Sequence, residues 1–476
     1  RILKGEIMYI KSIRRITNDA CHNAFTGACF FNGSLYITYR QGAAHADPTG
    51  KIIVLRSDDE GKHFENVATF RQTSDSRDPH LYTDGRKLFV VGFEAGTQRK
   101  SFTSYTEDGR NWSQWTHLRG TDGFIMWRPQ FYQGMYYCAA YGEFERNKNS
   151  VVAWFESNDG INWERRYDIH KGKEIPTECF LDFKNDGTAV MLMRCDDKNK
   201  KPYLCMSKPP YRKWEKTRLN IPILGPCLWL VKGEIWISGR WFVNPDIAHI
   251  GVFRIENKKP VLRLVLPSGP DFDCSYMAVA KDPENPVRFW FSYYSGHTAS
   301  DDPEINQFSH PDIYLVEAIF GSDKTGFIID WQVSDVQKIS LDQIKIPVSD
   351  NIKWKKISAY TEKDIKKGIA TLSTLGFVDA GNIIKGKDGV IFFKTQIDLG
   401  PSETIRMYLG YDGPVVVWFN NKKVFSGPGT NPAIADQTSV VVKPEHGTNT
   451  ITIALETNNG KAEGIFCRIV KEEKTL

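Results

Sequence analysis

The chain has 476 residues, a net charge of +5 and 13% aromatic residues, with 13 tryptophans. That length exceeds what one hydrophobic core normally serves, so at least two domains are expected. The small, dispersed charge excludes a nucleic-acid face, and no run approaches the roughly 18 apolar residues of a membrane helix.

From the N-terminus onward the pattern is one of short strands. A first run, Ile7-Met8-Tyr9-Ile10, is followed by apolar hairpins turning at Asn32-Gly33, Asp84-Gly85, Gln133-Gly134, Asp186-Gly187 and Lys232-Gly233. The glycines step by 52, 49, 53 and 46 residues. β-Branched and aromatic runs flank each turn, as in Ser34-Leu35-Tyr36-Ile37-Thr38-Tyr39. Tyr276–Val279 and Arg288–Phe291 read as a sixth hairpin.

A second repeat runs in phase with the first. It reads Ser57-Asp58-Asp59-Glu60-Gly61-Lys62-His63-Phe64, Thr106-Glu107-Asp108-Gly109-Arg110-Asn111-Trp112 and Ser157-Asn158-Asp159-Gly160-Ile161-Asn162-Trp163, with a worn fourth copy from Ser207 to Trp214. The starts are 49, 51 and 50 residues apart, a period that marks blades or coils. Ser, Thr and Asp side chains bond amides inside a tight turn, Gly supplies a positive φ, and the aromatic plugs the sheet below. These residues are therefore read as scaffold. The expected fold is all-β, with a six-bladed β-propeller over residues 1–340, closed by the Ile7–Ile10 run against Ile313–Val316.

Strands separated by Gly and Asn turns follow, at 389–397, 405–410, 414–425 and 447–454, and predict a C-terminal β-sandwich over 345–476. Its strand order looks like the jelly-roll accessory modules attached to many glycoside hydrolases. Packing on the propeller is the favoured role, with carbohydrate binding the alternative. The nine cysteines form no CxxC pair and read as buried thiols, so neither a disulfide framework nor a metal site is expected. No cofactor is expected.

Candidate chemistry comes from the open ends of the hairpins, where the start of one strand lies beside the end of the next. These ends hold His22, Asn23, Arg40, His45 and Asp47; Arg77, Asp78 and Glu94; Trp127, Arg128 and Tyr141; Glu178 and Arg194; Arg240; and Ser275, Tyr276, Tyr293, Tyr294 and His297. Five arginines thus converge with four carboxylates on one mouth. Arginine forks grip carboxylates bidentately, so an acidic sugar is the expected ligand, with Trp127 and the tyrosines as a stacking floor.

The turn signature resembles the Asp box of the sialidase superfamily, and the resemblance extends to Glu178-Cys179-Phe180-Leu181, Asp186-Gly187 and Met193-Arg194. It implies Arg194 and Arg240 as carboxylate clamps, Glu178 as the base that activates a tyrosine nucleophile, Tyr276 as that nucleophile, and Asp47 as acid/base. Arg40, His45, Arg77, Asp78, Trp127, Arg128 and Tyr294 complete the expected substrate contacts. One departure stands out: where sialidases open with Arg-Ile-Pro, this chain has His22-Asn23-Ala24-Phe25-Thr26. The clamp is therefore expected to serve another sugar. A sialidase-like glycosidase acting on an acidic or complex glycan is the leading reading. The alternatives are a polysaccharide lyase using His22, His45 or His297, or a non-catalytic glycan-binding propeller. No membrane insertion is expected. An extracytoplasmic location, periplasmic or secreted, is expected, with any signal peptide absent, while oligomeric state and linkage stay open.

Overall fold

The computed structural model describes the chain except residues 1–6, 97–99, 146–148, 245–246, 270–272, 298–309, 322–326, 345, 347, 349–350, 362–363, 365–366, 368, 371–375, 400–403, 430–431 and 472–476. It forms two compact units, the larger holding Ser12–Leu262 and Ser268–Ile319. Residue 345, where the second domain was expected to begin, lies outside the described residues. The smaller unit takes up earlier, at Phe320, because Trp331 and Val333 are buried in its core and their strand pairs with Val390–Leu399.

In the larger unit, the described residues form six antiparallel sheets that follow one another along the chain. Their inner strands are His22–Phe31, Asp75–Thr83, the split pair Phe124–Ile125 and Gln130–Tyr132, Pro176–Phe183, Ile223–Val231 and Ser275–Lys281. Each inner strand packs against the next, and Ser275–Lys281 packs against His22–Phe31, so the series closes on itself. In the sixth sheet the outermost strand is the N-terminal Ile7–Arg15, beside Asp312–Gly321. Around the centre lies one apolar cluster that includes Ala24, Trp127, Cys179 and Tyr276, contributed by four different sheets.

Every inner strand breaks its ladder once, at the same height. In the first sheet Ala24 pairs with Arg40 and Gly27 with Thr38, leaving Phe25 and Thr26 opposite Tyr39 alone. The same one-residue excess sets Asp78 and Pro79 opposite Gly92, Thr177 and Glu178 opposite Arg194, Gly225 and Pro226 opposite Gly239, and Tyr276 and Met277 opposite Tyr293. In the third sheet four residues, from Met126 to Pro129, face the three from Cys138 to Ala140. Each break is a β-bulge, which kinks the strand and re-aims its side chains. Prolines suit these positions because the missing N–H has no ladder partner to lose.

The repeated turns join the third and fourth strands of their sheets. Gly109 N bonds Thr106 Oγ1 at 2.9 Å, and Arg110 N and Asn111 N bond Asp108 Oδ1 at 2.8 and 2.7 Å. Ser157 and Asp159 repeat the pattern. These two turns also rest on the preceding sheet, since Tyr36 Oη donates to Gly109 O at 3.3 Å and Tyr82 Oη to Gly160 O at 3.4 Å. The turns are staples between sheets.

In the smaller unit, a six-stranded and a four-stranded sheet enclose one apolar core, with Val333, Phe393, Val417 and Ile453 meeting Val378, Met407, Leu409 and Ile465. All nine cysteines are free thiols.

Gly109 has φ +77, and a Cβ there would stand 1.9 Å from Tyr36 Oη. Gly109→Ala is therefore expected to lower stability by roughly 1–3 kcal/mol, read as a drop in the denaturant midpoint without loss of activity per folded molecule. An unchanged midpoint would remove the staple role.

Candidate functional site

The bulges bring residues of several sheets together: Phe25, Trp127 and Gly225 pack on Tyr276, which bonds Glu178. Backbone strain collects there: Phe25 (φ 59°), Asp78 (47°), Arg128 (51°) and Tyr276 (47°) are non-glycine residues in the left-handed region. Such conformations cost roughly 1–3 kcal/mol each and persist where surrounding structure enforces them, commonly at functional sites. Neighbouring side chains re-satisfy the broken ladders. Thr26 Oγ1 donates to Tyr276 O and Ser292 O, at 2.9 and 2.8 Å, and Arg128 Nη2 donates to Met277 O at 3.1 Å.

Tyr276 is the hub. Its hydroxyl donates to Glu178 Oε1 at 2.7 Å, and Arg194 Nη1 donates to the same Oε1 at 2.7 Å and to the Tyr276 oxygen at 3.0 Å. Glu178 Oε2 is buried with no partner among the described residues. Phe25 and Trp127 pack against the Tyr276 ring, with centroids 5.1 and 5.8 Å away. Gly225 makes room for it: at φ +55, an added Cβ would meet Ser275 Oγ at 2.9 Å and the Tyr276 ring at 3.2 Å. Burial first, and then the Glu178 charge, push the Tyr276 hydroxyl well above the usual phenol range, with Arg194 opposing. A phenol bonded to a carboxylate has a proton acceptor in place.

Asp78 and Arg77 stand on the second sheet. Burial pushes the Asp78 carboxyl up to about 6, Arg77 pulling it down and Glu178 adding to the rise. Its Oδ1 has no partner among the described residues. Arg77 lies over the Phe25 ring at 4.9 Å and donates from Nη1 to His45 O at 2.9 Å and Asp75 Oδ2 at 3.2 Å. Arg128 is buried over the Phe180 ring, at 4.6 Å.

On the far side, Arg240 Nε donates to Cys274 O at 2.8 Å, and Tyr294 Oη donates to Asp273 Oδ1 at 2.9 Å. Asp273 Oδ2 lies 2.6 Å from His22 Nε2 and 3.1 Å from His45 Nδ1. Burial works against ionisation of Asp273, but the hydrogen bonds from His22 and His45 outweigh it and hold the carboxyl well below its usual range. The donor atoms of these three residues all lie within 4.8 Å of one another, the set among the described residues that could hold a metal ion.

Several expected contacts lie elsewhere. Arg40 is fully buried, its Nε and Nη2 bonded to the Asp75 carboxylate at 2.7 and 3.0 Å, and so braces the scaffold instead of meeting a ligand. Trp127 is 1% exposed and supports Tyr276 from below, so it offers no stacking floor. Asp47 folds back on its own loop, accepting from Ala43 N at 2.7 Å and from Thr49 N and Oγ1 at 2.8 Å. Those bonds hold its carboxyl at about 2, which leaves it no proton to donate near neutral pH. Glu94 accepts from Ser74 and Ser76 beside the second inner strand, and His297 is half-buried, its ring packed on Tyr314. The sequence reading passed over Asp273 and Asp75. Asp273 could have been found from its place three residues ahead of Tyr276, at the entry of the sixth inner strand.

No protein-family model matches the chain, and no curated protein matches its sequence. Among solved structures it is similar to the phage phi92 endosialidase, with TM-score 0.50, 10% identity and 74% of each chain covered. It is also similar to the exo-β-1,3-galactanase of Phanerochaete chrysosporium, with TM-score 0.50, 8% identity, and 98% of this chain and 100% of that chain covered. The likeness is one of fold, the β-propeller of glycoside hydrolases.

The raised pKa of Asp78 has a stability consequence. Between its unfolded value near 3.9 and about 6, the folded state binds the extra proton, so this group lowers stability as pH rises through that window. Asp78→Asn is expected to raise unfolding free energy at pH 8 by roughly 1–3 kcal/mol and to change it little at pH 3.5. Equal midpoints for the two proteins at pH 8 would contradict this.

Proposed function

We propose that the larger unit is a six-bladed, sialidase-like β-propeller glycosidase acting on a glycan that carries an anionic sugar. The Tyr276–Glu178–Arg194 triangle carries the reading: a buried phenol bonded to a carboxylate at 2.7 Å, with a guanidinium on the phenol oxygen at 3.0 Å. A tyrosine nucleophile spares an anionic substrate from meeting a carboxylate nucleophile. Tyr276 Oη attacks the anomeric carbon while Glu178 takes its proton and Arg194 steadies the developing phenolate. Asp78, not Asp47, is assigned as the acid, because its pKa of about 6 keeps a proton available in mildly acidic solution. It protonates the departing oxygen as the glycosidic bond breaks. In the second step the Asp78 carboxylate takes a proton from water, the water oxygen attacks the same carbon, and Tyr276 leaves with the proton returned by Glu178.

The acidic-sugar assignment is supported by three arginines at the mouth. Arg77, Arg194 and Arg240 each keep one terminal nitrogen without a hydrogen-bond partner among the described residues. Phe25 occupies the place where the sialidase pattern has its first arginine, which argues for a sugar other than sialic acid. The turns are read as Asp boxes and the smaller unit as a jelly-roll accessory module. Among the described residues no helix is long and apolar enough to cross a membrane, and an extracytoplasmic site of action belongs to the same reading.

A panel of acidic oligosaccharides should reveal a substrate that gains reducing ends without an unsaturated product. On it, Tyr276→Phe and Glu178→Gln are expected to lower kcat by at least about 10²–10⁴-fold. Asp78→Asn should lose a similar factor on natural linkages yet recover with a nitrophenyl leaving group. Wild-type turnover should decline as pH rises through about 6. Full turnover by both Tyr276→Phe and Glu178→Gln would overturn the mechanism, and an unsaturated uronate product would replace hydrolysis with elimination.

A further inference from the structure

We propose that His22, His45 and Asp273 bind a divalent transition-metal ion of the zinc type at the rim of the mouth. Both imidazoles point a nitrogen at the same carboxylate oxygen, Asp273 Oδ2, instead of dividing between the two oxygens. The rings stand edge to face, with centroids 5.3 Å apart and planes at 79°. Two neutral imidazole nitrogens and one carboxylate oxygen are a donor set that suits zinc and its neighbours.

The surroundings match a metal site better than an ion pair. The His45 side chain is 55% exposed, yet its loop is tied down at four points. Arg40 Nη1 bonds Ala44 O at 2.9 Å, Arg77 Nη1 bonds His45 O at 2.9 Å, Asp47 N bonds Asp75 Oδ2 at 3.2 Å, and the Asp47 carboxylate clips Ala43 and Thr49. A surface histidine on a carboxylate contributes little to stability, so packing gives no reason to hold one so firmly. His22, 1% exposed, is fixed within its strand. The second oxygen of Asp273 is oriented by Tyr294, which supplies the outer-sphere hydrogen bond that metal-binding carboxylates usually have. Metal–ligand bonds of about 2.0–2.1 Å place neighbouring donors roughly 3.3 Å apart. Reaching that from 2.6 Å at His22 and 3.1 Å at His45 needs the Asp273 carboxylate to draw back from the fixed His22 ring, the exposed His45 ring to follow, and loss of the protons shared with Asp273. The remaining coordination position would open to solvent on the His45 side, where a water or a sugar oxygen would bind.

The test is a Co²⁺ titration of the EDTA-treated full-length protein, followed by visible d–d absorption and by calorimetry. One saturating site is expected, released by Zn²⁺, with affinity at least about 10–100-fold weaker in His45→Ala and Asp273→Asn and lowered in Tyr294→Phe. The Glu178→Gln variant should bind Co²⁺ like the wild type, which separates this site from the hydrolytic reading. Absence of uptake at millimolar Co²⁺ would overturn the proposal. So would uptake unchanged in His45→Ala, a surface substitution that leaves the fold intact, or bands marking thiolate ligation.

Discussion

One extra residue in each of six inner strands is the constraint on which the rest of the larger unit depends. A regular strand would alternate its side chains between the two faces of its sheet and send none along the ring axis. The bulge turns one residue per sheet out of that alternation, at a common height, so that Phe25, Asp78, Arg128, Glu178, Gly225 and Tyr276 come together. Residues about 250 apart in sequence meet because the breaks are in register, as when Thr26 bonds the carbonyl of Tyr276.

The arrangement is costly in local terms. Phe25, Asp78, Arg128, Ser275 and Tyr276 all sit at positive φ, and buried polar atoms of Asp78, Arg128 and Glu178 have no partner among the described residues. Surrounding contacts hold these groups in place: Tyr36 staples the first sheet to the second, Arg40 pairs with Asp75 across the same two sheets, and the buried Trp127 ring packs against that of Tyr276. Strain concentrated on a ring of side chains and supported from every side is the pattern of a preorganised site.

The fold was largely legible in the sequence because its signals are local. An Asn-Gly or Asp-Gly turn between apolar runs needs only neighbours to be read, and the 50-residue period multiplied that signal. The site was legible in part. Pairing strand ends across each turn brought Glu178 opposite Arg194, and both touch Tyr276. The same rule misjudged Arg40, Trp127 and Asp47, because counting residues from a turn ignores the bulge and cannot say whether a side chain faces the mouth or the next sheet. Asp75, which takes up Arg40, lies on another sheet, and no periodicity links the two. The prolines at 79, 129 and 226 were the available trace of the bulges, each sitting where a ladder hydrogen bond is missing.

The sixth sheet joins strands that lie far apart in the chain. Ile7–Arg15 lies beside Asp312–Gly321, and Arg15 and Thr17 both bond the Asp312 carboxylate, Thr17 at 2.8 Å. Joining segments nearly 300 residues apart carries a loop-closure entropy of about 5 kcal/mol, which no single clasp of this kind supplies. The last seam can therefore form only after the other sheets have stacked and brought its edges together. Tyr276 sits on the inner strand of that late sheet, and Glu178 two sheets before it. The contact between Tyr276 and Glu178 thus depends on sheets stacked side by side, and a nascent or truncated chain would carry both residues without that contact.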